Sequence, residues 1–183
     1  VSGPRPGPPP SVAVLLGTDH HPYDRAVRWA AELAAEDGSQ WFVQHGFTPW
    51  PLETPASLSG APMLGIDELT RVMDVADVVI THGGPGLIME ARAARHVPIV
   101  IPRDPDLGEH VDSHQLDFAA RLRDEGTIRL VSTLDELRDA VRLTREQGRP
   151  EHGHAGHRSD TVLRFGELVE AARARPRRRL LRR

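Results

Sequence analysis

The stretch Thr81-His82-Gly83-Gly84-Pro85-Gly86-Leu87-Ile88-Met89-Glu90 holds the residues of this 183-residue chain best suited to chemistry. The run Asp77-Val78-Val79-Ile80 leads into it and reads as a buried strand. Three glycines and a proline break that strand, and Leu87 to Arg95 then reads as helix. A strand, a glycine loop and a helix N-terminus aim free backbone N–H groups and the positive end of a helix dipole at one point. Such a point suits an anion, most often a phosphate. Glu90 lies about one helical turn beyond Gly86 and can face the same point. Its carboxylate would repel a phosphate but accept hydrogen bonds from a ribose diol. The same turn also serves as plain strand-to-helix punctuation with no ligand.

Two other chemistries use similar loops. His-Gly-Gly-Pro-Gly resembles the oxyanion loop of some α/β-hydrolases, but those need a G-x-S-x-G nucleophile elbow. None of Ser2, Ser11, Ser39, Ser57, Ser59, Ser113, Ser132 or Ser159 has that context. A dinucleotide fingerprint would follow the first strand as G-x-G-x-x-G, and here the spacing is wrong and the loop comes late. All 23 basic residues are arginine. Without lysine there is no Walker A loop, no kinase strand lysine and no Schiff base. A phosphate would have to be held by backbone N–H groups, arginine, histidine or hydroxyls. Asp104-Pro105-Asp106 spells the D-x-D of metal-dependent transferases, but proline in a loop after a strand marks a turn. His152, His154 and His157 stand in a Gly-rich polar stretch that reads as linker before it reads as a chelating site. No metal site is expected.

The elements that must position this loop alternate between strand and helix. Ser11 to Leu16 reads as the first strand, followed by a helix to about Glu36 with Ala26, Val27, Ala30, Leu33 and Ala34 inward. Gln40 to Gln44 reads as a strand, Phe47 to Gly60 as loop, and Pro62 to Ile66 as a short third strand. Asp67 is placed to cap a helix to about Val75. After the glycine loop come a strand over Pro98 to Pro102, a polar loop from Arg103 to Val111, and a helix from His114 to Glu125 with Leu116, Phe118, Ala119 and Leu122 inward. A strand at Ile128 to Val131 and a helix capped by Ser132 or Thr133, running to about Gln147, complete the pattern. The alternation predicts an α/β fold: a single Rossmann-like domain with a mostly parallel, doubly wound sheet over residues 11–147. Residues 1–10 read as a disordered Pro/Gly-rich linker, 148–159 as a second linker, and 160–183 as a C-terminal helix with a basic tail.

Apolar content of 39% and charged content of 27% suit a globular protein with a real core. There is no cysteine, so thiol chemistry is excluded. No apolar run of spanning length and no signal peptide is seen, which predicts a cytoplasmic protein. Net charge of −3 says little about partners, and nucleic acid is not among those expected. In open parallel sheets, ligands bind outside the carboxyl ends of the strands. His20, His21, His45, His82, His110 and His114, six of the ten histidines, fall at those ends. That clustering supports a site along one edge independently of any single motif.

The residues at that edge carry a family resemblance. Gly17-Thr18 with Pro22-Tyr23-Asp24-Arg25, Val43-Gln44-His45-Gly46, His82-Gly83-Gly84-Pro85-Gly86 with Glu90, Val100-Ile101-Pro102-Arg103, and Gly108-Glu109-His110-Val111-Asp112-Ser113-His114-Gln115 resemble the glycosyltransferase family 28 C-terminal domain. This is the nucleotide-sugar half of a GT-B transferase. The chain is most similar to the small subunits of two-part transferases that build lipid-linked oligosaccharides and exopolysaccharides.

The resemblance implies a UDP-sugar-dependent, inverting hexosyltransferase with no cofactor, the UDP-sugar being the donor. It places Gly83, Gly84 and Gly86 at the diphosphate, Glu90 at the ribose, Ile66 at the uracil, Asp112 and Gln115 at the donor sugar, and the Gly17-Thr18 loop over the phosphates. His82 and His114 belong to the same donor-binding motifs. His20, His21 and Asp112 are the candidates for the general base within this chain. Arg95 departs from the family, which often has a helix-ending glycine there. The implied partner is a separate acceptor-binding, membrane-anchored half. The six arginines of the last nine residues suit either that partner or an anionic leaflet, which would make the protein peripheral on the inner face of the membrane. Two other readings remain at this point: a non-catalytic nucleotide-binding subunit that activates a partner transferase, and a nucleotide-sugar epimerase of similar fold.

Overall fold

Strand-forming runs with alternating faces build the sheet. In the first, β1 (Val12–Leu15), Val12 and Val14 point to one side while Ala13 and Leu15 point to the other. A computed structural model describes residues 11–150. In it, β1, β2 (Trp41–Gln44), β3 (Leu58–Ala61), β4 (Val78–His82), β5 (Ile99–Ile101) and β6 (Arg129–Leu130) form one parallel sheet in the order β3-β2-β1-β4-β5-β6. The helices are α1 (Asp24–Asp37), α2 (Ile66–Val75), α3 (Pro85–Ala93), α4 (His114–Asp124) and α5 (Leu134–Gln147).

Both faces are covered. Ala26, Val27, Ala30, Leu33 and Ala34 of α1, with Leu137, Ala140 and Val141 of α5, pack on Val12, Val14, Val78 and Ile80. On the other face Met73 of α2 and Ala91 of α3 meet Ala13, Leu15 and Val79, while Ala119 and Leu122 of α4 meet Ile88 and Val100. This is the doubly wound parallel sheet predicted from the alternation. The inward face of α1 is the predicted one. Thr133 caps α5, accepting from the Glu136 N–H at 3.2 Å while the Glu136 carboxylate accepts from the Thr133 N–H at 3.2 Å.

Three local expectations differ. The third strand is Leu58–Ala61 rather than Pro62 to Ile66, and all but its last residue lies in the segment read as loop. Its sequence, Leu-Ser-Gly-Ala, is a poor strand former, because Gly60 leaves room for Trp50: a Cβ there would lie 2.4 Å from the indole ring. The cap of α2 is Gly65, whose N–H donates to Glu68 Oε2 at 3.0 Å, while Asp67 sits inside the first turn. In α4, Gln115 is buried whereas Leu116 and Phe118 are half-buried.

Arg95 follows the end of α3 with a φ of 65°. The left-handed region favours glycine there, because a Cβ crowds the neighbouring carbonyl. Arg95→Gly is therefore expected to stabilise the fold by about 1 kcal/mol, read as a melting-temperature rise of about 2–4 °C. A lower melting temperature would show that the arginine side chain offsets its backbone strain. Among the described residues no helix is long and apolar enough to cross a membrane. The segments expected as linkers, terminal helix and basic tail (1–10, 151–183) lie outside the described residues.

Candidate functional site

Strand order reverses between β1 and β4, and chain segments diverge to either side of that point. A crevice opens outside the carboxyl ends of the strands at such a reversal. Here it is a cleft of about 780 Å³. One wall is Gly17, Thr18, Asp19 and His20 after β1; the opposite wall is Gly84, Pro85, Gly86, Leu87 and Glu90 from α3. Gln44 and His82 form part of the floor, and Leu64 and Leu69 close the side toward α2.

The α3 wall is a helix N-terminus. Pro85 occupies the first helical position, where a missing N–H costs nothing. The next two N–H groups, of Gly86 and Leu87, precede the first intrahelical bond, from Ile88 N to Gly84 O at 3.4 Å. The positive end of the α3 dipole therefore opens into the cleft. Glu90, one turn further on, is exposed at its rim.

The floor depends on two close approaches. Gly17 has a φ of +74°, and a Cβ there would lie 2.7 Å from His82 Cε1. A Cβ on Gly84 would lie 2.1 Å from His82 Nε2. The His82 imidazole is thus held between two glycines, one from each wall. Burial, followed by the nearby Arg103 charge, lowers its pKa to about 4, so the ring is neutral near pH 7. What the cleft offers an anion is therefore the helix terminus, not this histidine.

Gln44 fixes the other side of Gly17. Its Oε1 accepts from Gly17 N–H at 2.9 Å, its Nε2 donates to Gly17 O at 2.9 Å, and the same amide donates to Pro62 O at 2.8 Å. Under the loop lies Arg103, 1% exposed. Its Nη1 donates to His21 O at 2.7 Å and Glu109 O at 3.1 Å, and its Nη2 to Leu16 O at 3.3 Å. The guanidinium stacks 4.6 Å from the Tyr23 ring centroid. Burial lowers its pKa, while Asp19, Tyr23 and Glu109 favour the charge. Arg25 binds Glu109 through two bonds, at 2.9 and 2.7 Å, and Glu109 Oε2 also accepts from Asp104 N–H at 2.9 Å. The loops after β1 and β5 are locked together by this network.

A row of histidines and carboxylates runs outward from the cleft. His21 Nδ1 lies 2.7 Å from Asp19 Oδ1, and His110 Nε2 lies 3.7 Å from Asp19 Oδ2. His110 Nδ1 is 3.4 Å and His114 Nδ1 2.8 Å from Asp112 Oδ1. Burial alone would raise the Asp19 carboxyl, but hydrogen bonds from the His21 backbone and ring outweigh it and hold it below the usual carboxylate range.

Of the residues singled out from sequence, Gly17, Thr18, His20, His82, Gly84, Gly86 and Glu90 line the one cleft. Gly83 and Gln115 lie behind it: a Cβ on Gly83 would meet Gln115 Cβ at 2.7 Å, and Gln115 Oε1 accepts from Arg103 N–H at 3.3 Å. His21, Asp112 and His114 stand in the outer row, and Ile66 opens α2 at 76% exposure without lining the cleft. Asp104-Pro105-Asp106 forms the expected turn, with Asp104 Oδ1 accepting from Asp106 N–H at 2.9 Å. Gln44 and Arg103 stood in quoted motifs without a role, and Asp19 was not singled out. The signal for Gln44 was an amide at the end of an otherwise apolar buried strand.

Known proteins share this fold. The profile of the glycosyltransferase family 28 C-terminal domain matches residues 12–152. The fold resembles that of the glycosyltransferase of kitacinnamycin, at 22% identity over 95% of this chain and 42% of that one, with a TM-score of 0.59. CalG4, the calicheamicin glycosyltransferase, is similar at 19% identity, 93% and 44% coverage and a TM-score of 0.61. SnogD from Streptomyces nogalater is similar at 19%, 92% and 45%, with a TM-score of 0.51. The chain spans less than half the length of each of these solved structures. A comparison with curated proteins finds no match.

Proposed function

This chain belongs to the glycosyltransferase family 28 C-terminal domain, and from that premise we propose that it is the donor-binding domain of an inverting, UDP-sugar-dependent hexosyltransferase. The observation that carries the reading is the cleft itself: a helix N-terminus on one wall, a glycine turn on the other, and a carboxylate one helical turn away. The diphosphate would take the N–H groups of Gly86 and Leu87, on a loop that Gly83 and Gly84 let pack against Gln115 and His82. Gly17 and Thr18 would cover it from the β1 side. Glu90 would accept from the ribose hydroxyls. Ile66 is assigned to the uracil, and Asp112, His114 and Gln115 to the donor sugar.

Inverting transfer leaves negative charge on the departing diphosphate. Fixed N–H dipoles stabilise that charge without a metal ion or other cofactor. The acceptor would come from a separate half, membrane-anchored and presenting a lipid-linked or polysaccharide sugar. Of the base candidates, His20 is the one on the cleft wall, and His21 and Asp112 stand in the outer row. The arginine-rich segment 173–183 is assigned to recruitment, by the anchored partner or by an anionic inner leaflet.

Calorimetric titration with UDP tests the donor site. UDP is expected to bind this domain alone, with Mg²⁺ or Mn²⁺ changing the affinity little. Glu90→Ala should weaken binding by about 1.5–3 kcal/mol, the range for hydrogen bonds to a charged group, with the melting temperature unchanged. No UDP binding by the parent overturns the donor reading. Equal affinity in Glu90→Ala and parent removes only the ribose assignment.

A further inference from the structure

We propose that Asp19, His20 and His21 form a binding site for a divalent transition-metal ion of the imidazole-preferring class, such as Zn²⁺, at the rim of the cleft. Each residue offers one ligand atom, and the three atoms lie within 4.8 Å of one another. The two imidazole rings are 4.1 Å apart between centroids and tilted by 36°, so they converge without stacking flat. Asp19 Oδ1 and His21 Nδ1, 2.7 Å apart, share a single proton position. Tetrahedral zinc, with bonds of about 2.0–2.1 Å, spaces its ligand atoms about 3.3 Å apart. Opening the pair by about half an ångström lets an ion take the place of the proton.

The segment that bears these ligands is already ordered by other residues. Arg103 holds Leu16 O and His21 O at either end of it, and Gln44 holds Gly17. Ligands fixed in advance lose little freedom on binding. His110 stands beside the three ligands, its ring 6.0 Å from that of His21 and its Nε2 3.7 Å from Asp19 Oδ2.

The donor set selects the ion. Two imidazole nitrogens and one carboxylate suit Zn²⁺, Co²⁺ or Ni²⁺, whereas Mg²⁺ and Ca²⁺ demand mostly oxygen. The site also has an open side, because Asp19 and His20 both line the cleft. An ion there keeps a position for water or for an anion in the cleft. The proposal stands on these three residues and does not depend on the cleft binding a UDP-sugar.

The test is Co²⁺ titration of the full, tag-free chain in which His152, His154 and His157 are all replaced by alanine, so that the second histidine cluster cannot contribute. The expected result is visible d–d absorption that saturates at one ion per chain, and a melting-temperature rise with Zn²⁺ but not with Mg²⁺. Adding His20→Ala and His21→Ala should abolish the absorption and weaken Zn²⁺ binding at least tenfold. Asp19→Asn, which keeps size and shape, should weaken it as well, and serves if the double variant folds poorly. The proposal is overturned if the chain with intact His20 and His21 shows no saturable absorption, or if the absorption survives these substitutions.

Discussion

Gly84→Ala is expected to abolish UDP binding and to lower the melting temperature by about 5–10 °C, whereas Gly86→Ala should weaken UDP binding and leave the fold intact or slightly stabilised. The two glycines lie two residues apart in one loop, and the difference between them is what each faces. A methyl on Gly84 would lie 2.1 Å from His82 Nε2 and within 2.9 Å of two further ring carbons. The imidazole cannot retreat, because Gly17 approaches from the other side at 2.7 Å from Cε1 on the same measure. The loop or β4 must move, and overpacking of that kind costs about 1–3 kcal/mol. A methyl on Gly86 meets nothing within 4 Å, and alanine suits the first turn of a helix better than glycine. Gly86 lines the cleft, so what its added methyl is expected to obstruct is an incoming phosphate. Paired melting curves and UDP titrations separate the effects. Parent-like melting for Gly84→Ala would show that His82 is not packed as described, and full UDP affinity in Gly86→Ala would take the phosphate away from this helix end.

Much of the frame was legible because its causes are local. The inward face of α1 follows from spacing alone, and the cap of α5, expected at Ser132 or Thr133, is Thr133. The cleft was legible at its glycine loop for the same reason. What escaped depends on residues far apart in sequence. The strand Leu58–Ala61 carries Gly60 because Trp50 needs the space, which no β-propensity conveys. Thr81 and His82 extend β4 into the stretch read as loop, since Thr81 pairs with Val100 and His82 with Ile101 of β5. Gln44 reads as a polar strand end until Gly17, 27 residues earlier, takes two of its three hydrogen bonds and Pro62 the third.

Arg103 is the sharpest case, and its removal is expected to cost about 3–5 kcal/mol. It follows β5 in a segment rich in charge, where an arginine ordinarily lies in solvent. Here its side chain is enclosed and donates to three backbone carbonyls, of Leu16, His21 and Glu109, on two different loops. Arg103→Ala leaves those oxygens buried without a donor and opens a void beneath Tyr23. For a chain of this size the loss corresponds to a fall of about 10 °C or more in melting temperature. Lysine should restore little: one ammonium cannot span the carbonyls that the planar guanidinium reaches, nor stack on the ring. Arg138 offers the contrast. It also makes several bonds, to Glu36 and Asp135, but on an exposed helix face, and Arg138→Ala should leave the melting temperature close to the parent value. Because Arg103 holds the segment that forms the β1 wall, its loss should reach the cleft too. UDP affinity in Arg103→Lys should fall even at temperatures where the variant is fully folded. If Arg103→Lys melts and binds like the parent, the buried charge positions nothing, and the wall must be held by Gln44 and the Arg25–Glu109 pair alone.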